Sequence, residues 1–184
     1  MVEDRIMLVS GIAMPFYPMR PTRGKLGTPE QLHEDLGGGW VIQPKLNGDR
    51  ATLGVFVPGI FIQNRHLSRF KHRVKNADLF KALPNGTCVD GEVYGSEFFP
   101  FEVLALGRDQ LLDSPVEFRV SQAERLCSIL GVPWIFQPPS QASLAFMREQ
   151  PKKWEGYVKK RSGSAYAIYG VERDSDEWFK CKWD

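Results

Sequence analysis

Short apolar and β-branched runs, each ended by a turn signal, dominate the sequence from residue 40 onward. Trp40–Leu46, Ala51–Val57 and Ile60–Gln63 are three such runs, and Pro58-Gly59 separates the last two. Runs of about four to eight residues with this composition are typical of strands, and a Pro-Gly turn between two of them indicates an antiparallel pair. The pattern therefore predicts a domain rich in β-sheet.

The rest of the chain adds strands and helices in no regular alternation. Further strands are expected at Thr87–Tyr94, Phe98–Leu106, Gly156–Lys160, Tyr166–Tyr169 and Trp178–Trp183, and helices at Asn76–Leu83, Ser114–Leu130 and Ser140–Gln150. The second helix has the clearest signals, because Ser114-Pro115-Val116-Glu117 combines an N-cap, a first-turn proline and a capping-box glutamate, and Gly131 ends it. This order predicts an α+β fold of mostly antiparallel sheets flanked by helices.

Four prolines and several glycines interrupt residues 1–39. We interpret this stretch as an irregular N-terminal segment of the same domain. The chain has 184 residues, of which 42% are hydrophobic and 25% charged, and this is the size and composition of one globular domain. A chain of this length buries roughly 70% of the surface of its unfolded form, so it needs neither disulfides nor metal ions to fold.

The three cysteines, Cys88, Cys127 and Cys181, are far apart and include no C-x-x-C pair. They predict no disulfide framework and no zinc site, and we expect a reducing, cytoplasmic setting. The apolar run Ile6–Met14 is interrupted by Ser10-Gly11 and follows acidic residues. It therefore resembles neither a signal peptide nor a membrane span.

The formal net charge is only +2, so attraction of the whole molecule to nucleic acid is weak, and any such function must come from local basic clusters. One cluster consists of Arg65, Arg69, Lys71, Arg73 and Lys75. It is compatible with a solvated face and equally with a surface that grips phosphates.

The common phosphate-binding loops, G-x-x-x-x-G-K-[ST] and a strand-linked G-x-G-x-x-G, do not occur in the sequence. Instead, Lys45-Leu46-Asn47-Gly48-Asp49-Arg50 places a lysine at the end of one predicted strand and an arginine at the start of the next. Taken alone, this segment is equally compatible with a hairpin that carries solvated charges.

Five further short motifs follow the lysine motif in order along the chain. They are Asn64-Arg65, Val89-Asp90-Gly91-Glu92, Phe101-Glu102, Glu155-Gly156-Tyr157-Val158-Lys159 and Trp178-Phe179-Lys180-Cys181-Lys182. The ordered set resembles the motifs of the covalent nucleotidyltransferases. The resemblance is closest to the adenylation (nucleotidyltransferase) domain of ATP-dependent DNA ligases, over residues 40–184.

This resemblance implies a fold, two ligands and a set of site residues. The fold is an α+β, ATP-grasp-like nucleotidyltransferase domain, and the ligands are ATP and Mg²⁺. Lys45 is implied as the nucleophile, with Lys180 and Lys182 beside it. The nucleotide-binding residues are implied to be Gln43, Arg50, Glu92, Phe101 and Glu155. Of these, Glu92 and Glu155 would hold Mg²⁺, and Phe101 would stack on the purine.

These residue types suit the implied chemistry on physical grounds. A lysine amine attacks phosphorus only when neutral, and a pKa near 10.4 leaves on the order of one molecule in a thousand neutral at about pH 7.5. One ammonium about 5 Å away, at an effective dielectric of about 20, contributes roughly 3 kcal/mol, or about two pKa units. We therefore expect Lys180 and Lys182 to activate Lys45 if the fold brings them close.

Each assignment also has a structural alternative. Glu92 lies in a strand-like run and fits a solvent-facing position. Phe101 lies in an aromatic run, and such residues usually belong to the core. Lys180 and Lys182 alternate with apolar residues, as on a strand with one face in water.

The sequence departs from the ligase pattern at two positions and at its end. Asn47 stands where ligases usually have Asp, and Gln43 stands where DNA ligases usually have a Glu that reads adenine. A glutamine donates as well as accepts, which weakens the case for ATP over GTP without reversing it. The chain ends two residues after Lys182, so the oligonucleotide-binding (OB) domain that follows in ligases is expected to be absent.

Three hypotheses follow. The first is a monomeric, ATP-dependent DNA ligase core that acts on nicked duplex DNA. The second is an RNA ligase or a capping guanylyltransferase, which Asn47 and Gln43 favour. The third is a non-catalytic module that binds nucleic-acid ends. Nucleotide preference and formation of a covalent adenylate distinguish the three.

Overall fold

Two β-sheets form the body of the structure, and the smaller of the two joins strands that are distant in the sequence. The computed structural model describes residues 7–9, 11–14, 16–57, 59–70, 72–135, 141–168 and 171–183. The strands are β1 (Met7–Val9), β2 (Ile12–Met14), β3 (Arg20–Arg23), β4 (Trp40–Leu46), β5 (Asp49–Phe56), β6 (Gly59–Asn64), β7 (Cys88–Tyr94), β8 (Glu97–Leu106), β9 (Asp109–Gln110), β10 (Trp154–Arg161) and β11 (Asp174–Lys182). The helices are α1 (Pro29–Gly37), α2 (Val116–Leu130) and α3 (Gln141–Arg148), with a short 3₁₀ helix at Ala77–Ala82.

The strand order separates the two sheets cleanly. One sheet has four strands in the order β3-β11-β10-β4, and the other has five in the order β6-β5-β7-β8-β9. Strands β1 and β2 form a pair of their own. The pairing of β3 with β11 is parallel, and the other pairs described are antiparallel. The predicted α+β class of mostly antiparallel sheets is therefore confirmed.

The lysine motif connects the two sheets. Strand β4 pairs with β10, whereas β5 pairs with β6 and β7, so the segment between Lys45 and Arg50 crosses from one sheet to the other. The alternative of a simple hairpin is thereby wrong. Gly48 is required at the crossing, because a Cβ there would lie 2.4 Å from the carbonyl oxygen of Val93.

Helix α2 ends as predicted but begins differently. Gly131 adopts a left-handed conformation (φ 64°) and ends the helix. At the start, the N-cap is Pro115 and makes no side-chain hydrogen bond, so the predicted capping box is wrong. The carboxylate of Glu117 accepts instead from the backbone N–H of Gly163, because the chain after β10 folds back onto this end of the helix.

Several other elements differ from the predictions. The first 39 residues are not irregular throughout, because they contain β3 and α1, the latter capped by Thr28, whose hydroxyl oxygen accepts from the backbone N–H of Gln31. The predicted helix at Asn76–Leu83 is a 3₁₀ helix. Residues 166–168 of the predicted strand Tyr166–Tyr169 are not in a strand, and Tyr169 lies outside the described residues.

The hydrophobic core determines which faces remain open. Helix α2 packs on β8, and Val103, Ala123 and Cys127 are fully buried there. The four-stranded sheet carries a second core on the side of α1, formed by Leu32, Ile42, Tyr157 and Cys181. Since neighbouring residues of a strand point to opposite faces, the residues next to Ile42, Tyr157 and Cys181 face the other sheet.

The three cysteines, Cys88, Cys127 and Cys181, are buried and free. Among the described residues, every helix is too short or too polar to cross a membrane.

Candidate active site

A cleft of about 650 Å³ opens between the two sheets, a size typical of small-molecule sites. The predicted residues that line it are Gln43, Lys45, Arg50, Arg65, Arg69, Glu92, Phe101, Glu155, Lys180 and Lys182. Arg73 lines an adjoining hollow of about 340 Å³, and Lys71 lies outside the described residues. The structure therefore brings together residues that are up to 139 positions apart in the chain (43 to 182).

Strand register aligns the motifs across the four-stranded sheet. Lys45 on β4 is opposite Gly156 on β10, and Gly156 is opposite Lys182 on β11. Gln43 is likewise aligned with Val158 and Lys180. Gly156 has φ 150°, and a Cβ there would lie 2.0 Å from the carbonyl oxygen of Cys181, so only glycine fits.

Glu155 joins two of the lysines. One carboxylate oxygen accepts a hydrogen bond from Nζ of Lys45, and the other accepts from Nζ of Lys182. Burial alone would raise the pKa of Glu155, but the hydrogen bonds from the two ammonium groups outweigh it and hold the pKa below its usual range. The carboxylate is therefore ionised and positions both lysines.

Glu92 occupies the opposite wall of the cleft. It lies on β7, where its partner on β5 is Arg50. Burial raises the pKa of Glu92 to about 7, although the charges of Lys45 and Arg50 act in the opposite direction. Among the described residues, no cluster of three or more His, Cys, Asp or Glu side chains could hold a metal ion by itself. Three carboxylates line the cleft, those of Asp49, Glu92 and Glu155, and the sequence predicts Glu92 and Glu155 as the metal ligands.

Arg50 is held firmly in the cleft wall. Its Nε donates to one carboxylate oxygen of Asp90 at 3.0 Å, and an Nη donates to the other oxygen. The hydroxyl of Tyr166 also donates to Asp90 and lies 3.3 Å from the arginine. The guanidinium lies 5.1 Å from the ring centroid of Phe101. This bidentate pairing fixes the orientation of Arg50 before any ligand binds.

Phe101 belongs to the core and also lines the cleft. It is only 9% exposed and is part of the main hydrophobic cluster. The ammonium of Lys160 lies 4.6 Å from its ring centroid and 4.0 Å from that of Trp178. The structure is therefore consistent with both interpretations of Phe101, as core residue and as stacking surface.

A buried ionic triad under Phe101 was not predicted from the sequence. Nζ of Lys160 and Nε of Arg119 donate to the two carboxylate oxygens of Glu102, and all three side chains are almost completely buried. Burial lowers the pKa of Lys160 to about 8, although Glu102 opposes the shift. The spacing of the E-G-x-V-x-K pattern in fact matches Lys160, whereas Lys159 faces α1 and pairs with Asp35.

The side-chain amide of Gln43 has one fixed orientation. Its Nε2 donates to the carbonyl oxygens of Phe101 at 3.1 Å and Ile135 at 3.3 Å. Since both of these neighbours only accept, the orientation of the amide is determined, and its oxygen is the atom left for a ligand. The buried glutamine therefore offers an acceptor, as a carboxylate would.

The loop after β6 carries the basic rim of the cleft. Its turn is closed by the side chain of Asn64, whose oxygen accepts from the backbone N–H groups of His66 at 2.9 Å and Ser68 at 3.1 Å. Of the residues that line the cleft, eight are Lys or Arg and three are Asp or Glu. The positive charge that the whole molecule lacks is therefore concentrated here.

Comparison with solved structures relates this arrangement to known proteins. Mycobacterial DNA ligase D complexed with ATP and MES matches with a TM-score of 0.67 and 20% identity over 91% of this chain and 60% of that chain. The ligase domain of the M. tuberculosis enzyme also gives a TM-score of 0.67 at 20% identity, covering 91% and 59% of the two chains. A Lig E DNA ligase, studied for DNA binding with a minimal scaffold, gives 0.51 at 15% identity over 89% and 69%.

The chain therefore shares the fold of these DNA ligase structures, and the predicted resemblance to a DNA ligase domain is confirmed at the level of the fold. No family model and no curated protein matches the sequence. The chain spans about 60% of the length of the first of these ligase structures.

Proposed function

We propose that this chain is the catalytic core of an ATP-dependent polynucleotide ligase that forms lysyl-AMP on Lys45 and seals nicked duplex DNA. The observation that carries the proposal is the meeting of Lys45, Glu155 and Lys182 at one end of a strongly cationic cleft. In this scheme the two sheets of one domain enclose the nucleotide, in the ATP-grasp-like manner, with Phe101 against the base.

The reaction begins when the ammonium group of Lys45 loses one proton to water and the neutral amine moves away from the carboxylate of Glu155. Its nitrogen attacks the α-phosphorus of ATP, the N–P bond forms, and the bond from phosphorus to the bridging oxygen breaks. Pyrophosphate takes the electron pair, and the nitrogen releases a proton to water. A 5′-phosphate oxygen then attacks the AMP phosphorus and breaks the N–P bond, which returns the amine of Lys45. Finally, the oxygen of a 3′-hydroxyl attacks the phosphorus of the adenylated 5′-phosphate, AMP leaves, and the phosphodiester forms. Lys180 and Lys182 stabilise the negative charge that develops on phosphate oxygens.

The cleft fits Mg²⁺ that is shared with phosphates. Mg²⁺ is usually bound by one or two carboxylates together with substrate phosphates and water, and the cleft offers Glu92 and Glu155. When bound, the ion would neutralise phosphate charge. Glu155 would exchange its contact with Lys45 for this role, which frees the amine.

Covalent labelling tests the proposal. Incubation with α-labelled ATP and Mg²⁺ is expected to leave label on the denatured protein, in an acid-labile and base-stable linkage typical of a phosphoramidate. GTP is expected to label far less. Preferential labelling by GTP would indicate a capping guanylyltransferase, and no labelling by either nucleotide would favour the binding module.

Gln43 provides a sharper test of base selection. Gln43→Glu restores the residue usual in DNA ligases, yet it is expected to weaken ATP binding here by about 1–3 kcal/mol. The reason is that a carboxylate would face the carbonyl oxygens of Phe101 and Ile135 without a proton to share. Calorimetric titration with ATP measures the effect, and Gln31→Glu on α1 is the matched control. Equal or tighter binding by Gln43→Glu would contradict the described role of the amide.

The basic rim predicts steep salt dependence of DNA binding. For a surface that neutralises about four phosphates, the slope of log K against log salt is expected to be roughly −3.6. Arg65→Ala and Arg69→Ala should each reduce its magnitude by about 1, and Arg125→Ala on the outer side of α2 should not. Fluorescence anisotropy with nicked duplex DNA measures this slope. An unchanged slope in both rim variants would exclude the rim from DNA binding.

Sealing of pre-adenylated substrates decides between DNA and RNA. These substrates already carry AMP on the 5′-phosphate, so they bypass both steps that involve lysyl-AMP and test nucleic-acid binding together with the final sealing step. We expect sealing of nicked duplex DNA, and sealing of nicked RNA but not DNA would assign the chain to the RNA ligases.

A further inference from the structure

Arg20 on β3 lines the cleft but belongs to none of the motifs. Strand β3 runs parallel to β11, where Pro21 is opposite Ser175, and Thr22 is opposite Phe179. Between these two pairs, β11 contains three extra residues that have no partner on β3. Arg20 is therefore only three residues, or about 10 Å of strand, from the position opposite Lys180.

The positive charge of Arg20 acts on Lys180 inside the cleft. Burial lowers the pKa of Lys180, and the positive charges of Arg20, Lys45 and Lys182 lower it further, against the opposing charge of Asp174. Four positive groups thus face one region of the cleft, and a polyanion bound there would relieve their mutual repulsion.

Arg20 is held by acids that it can exchange for a ligand. It forms ion pairs with Glu172 and, at 3.3 Å, with Asp174. The side chain of Arg20 is 30% exposed, and those of Glu172 and Asp174 are 37% and 50% exposed. Ion pairs as exposed as these are weak, so a phosphate group can compete for the guanidinium.

The strand order gives Arg20 a position suited to the leaving group. In the order β3-β11-β10-β4, Lys45 lies on one outer strand and Arg20 on the other. In nucleotidyl transfer the attacking and leaving atoms lie roughly in line on either side of phosphorus. An attack by Lys45 along the direction from β4 to β3 would therefore place the leaving group on the side of Arg20.

We propose that Arg20 binds the β- and γ-phosphates of ATP and holds the departing pyrophosphate. The inference rests on the proposed function, because it requires ATP to lie in the cleft with its α-phosphate at Lys45. It adds a phosphate-binding residue from the N-terminal strand to the site.

Comparison of two nucleotides tests the inference. The probes are α,β-methylene-ATP, which keeps three phosphates but resists cleavage between the first two, and AMP. Arg20→Ala is expected to weaken binding of the methylene analogue about tenfold and that of AMP less than twofold. Arg23→Ala, an exposed arginine of the same strand that does not line the cleft, is the matched control and should alter neither.

A second variant is expected to strengthen, not weaken, binding of the methylene analogue. Glu172→Gln combined with Asp174→Asn leaves Arg20 in place and removes its competing acids. This variant is expected to bind the methylene analogue several-fold more tightly, and adding Arg20→Ala should abolish the gain. Circular dichroism confirms that each variant is folded.

Two results would overturn the inference. One is equal affinity of Arg20→Ala and Arg23→Ala for the methylene analogue. The other is an equal loss of AMP and analogue binding in Arg20→Ala, which would place Arg20 at the α-phosphate or in a purely structural role. Failure of the unmodified protein to bind either nucleotide would instead refute the proposed function.

Discussion

Replacing Lys45 with arginine is expected to abolish covalent labelling by ATP, with a loss of at least about a thousandfold, as when other covalent enzymes lose their nucleophile. Arginine keeps the positive charge and the ion pair with Glu155, so the cleft should remain intact. It cannot attack phosphorus, because its guanidinium stays protonated at any pH at which the protein is folded. Gel autoradiography after denaturation measures the loss.

The control for this prediction is Lys152→Ala, an exposed lysine that does not line the cleft. It should label like the unmodified protein. Mass spectrometry of the labelled peptide adds an independent readout. Label on Lys160, Lys180 or Lys182, or equal labelling of Lys45→Arg and the unmodified protein, would show that the nucleophile is assigned wrongly.

The buried triad predicts the largest effect on stability. Glu102→Gln would leave the charges of Lys160 and Arg119 buried without their counterion. Removing one partner of a buried ion pair typically costs about 3–5 kcal/mol. For a chain of this length, this corresponds to a fall in Tm of roughly 6–20 °C. Thermal unfolding followed by circular dichroism measures it.

A double variant separates charge imbalance from loss of packing. Glu102→Gln combined with Lys160→Met removes one charge of each sign, so the net buried charge of the triad is unchanged. It is expected to recover a substantial part of the lost stability. Glu97→Gln, exposed on the same strand, is the control and should leave Tm within about 2 °C. A Tm of Glu102→Gln equal to that of Glu97→Gln would contradict the role of the triad.

The sequence predicts correctly those helices and strands whose formation depends on their own residues and immediate neighbours. Strand β4 was predicted with its observed bounds, Trp40–Leu46, because a run of apolar residues is bounded by glycines and a polar turn. Strand β3 was missed because it forms by parallel pairing with a strand more than 150 residues away, which no local signal reports. The capping box at Ser114 failed because a distant loop, at Gly163, competes for Glu117.

The candidate site could likewise be predicted only in part from the sequence. The ordered motifs identified the residues that line the cleft, since their spacing and order are properties of the sequence. The partners of these residues depend on tertiary packing. The direction of the Gln43 amide follows from two backbone carbonyls, one on β8 and one after α2. The motif spacing indicates Lys160 over its neighbour Lys159, and the structure shows that the two lysines lie on opposite faces of β10 with different partners.

The alignment of Lys45, Gly156 and Lys182 across three strands has a consequence for natural variation and for engineering. The spacing between these three residues is set by the hydrogen-bonded strand pairing, not by the length of the connections. We therefore expect an insertion at the exposed Val171, between β10 and β11, to be tolerated, whereas an insertion between Gly163 and Tyr166 would disturb their contacts with Glu117 and Asp90. One residue inserted in β10 before Lys159 would instead move Lys159 to the inward position of Lys160 and turn Lys160 outward, and so break the ion pair between Lys159 and Asp35.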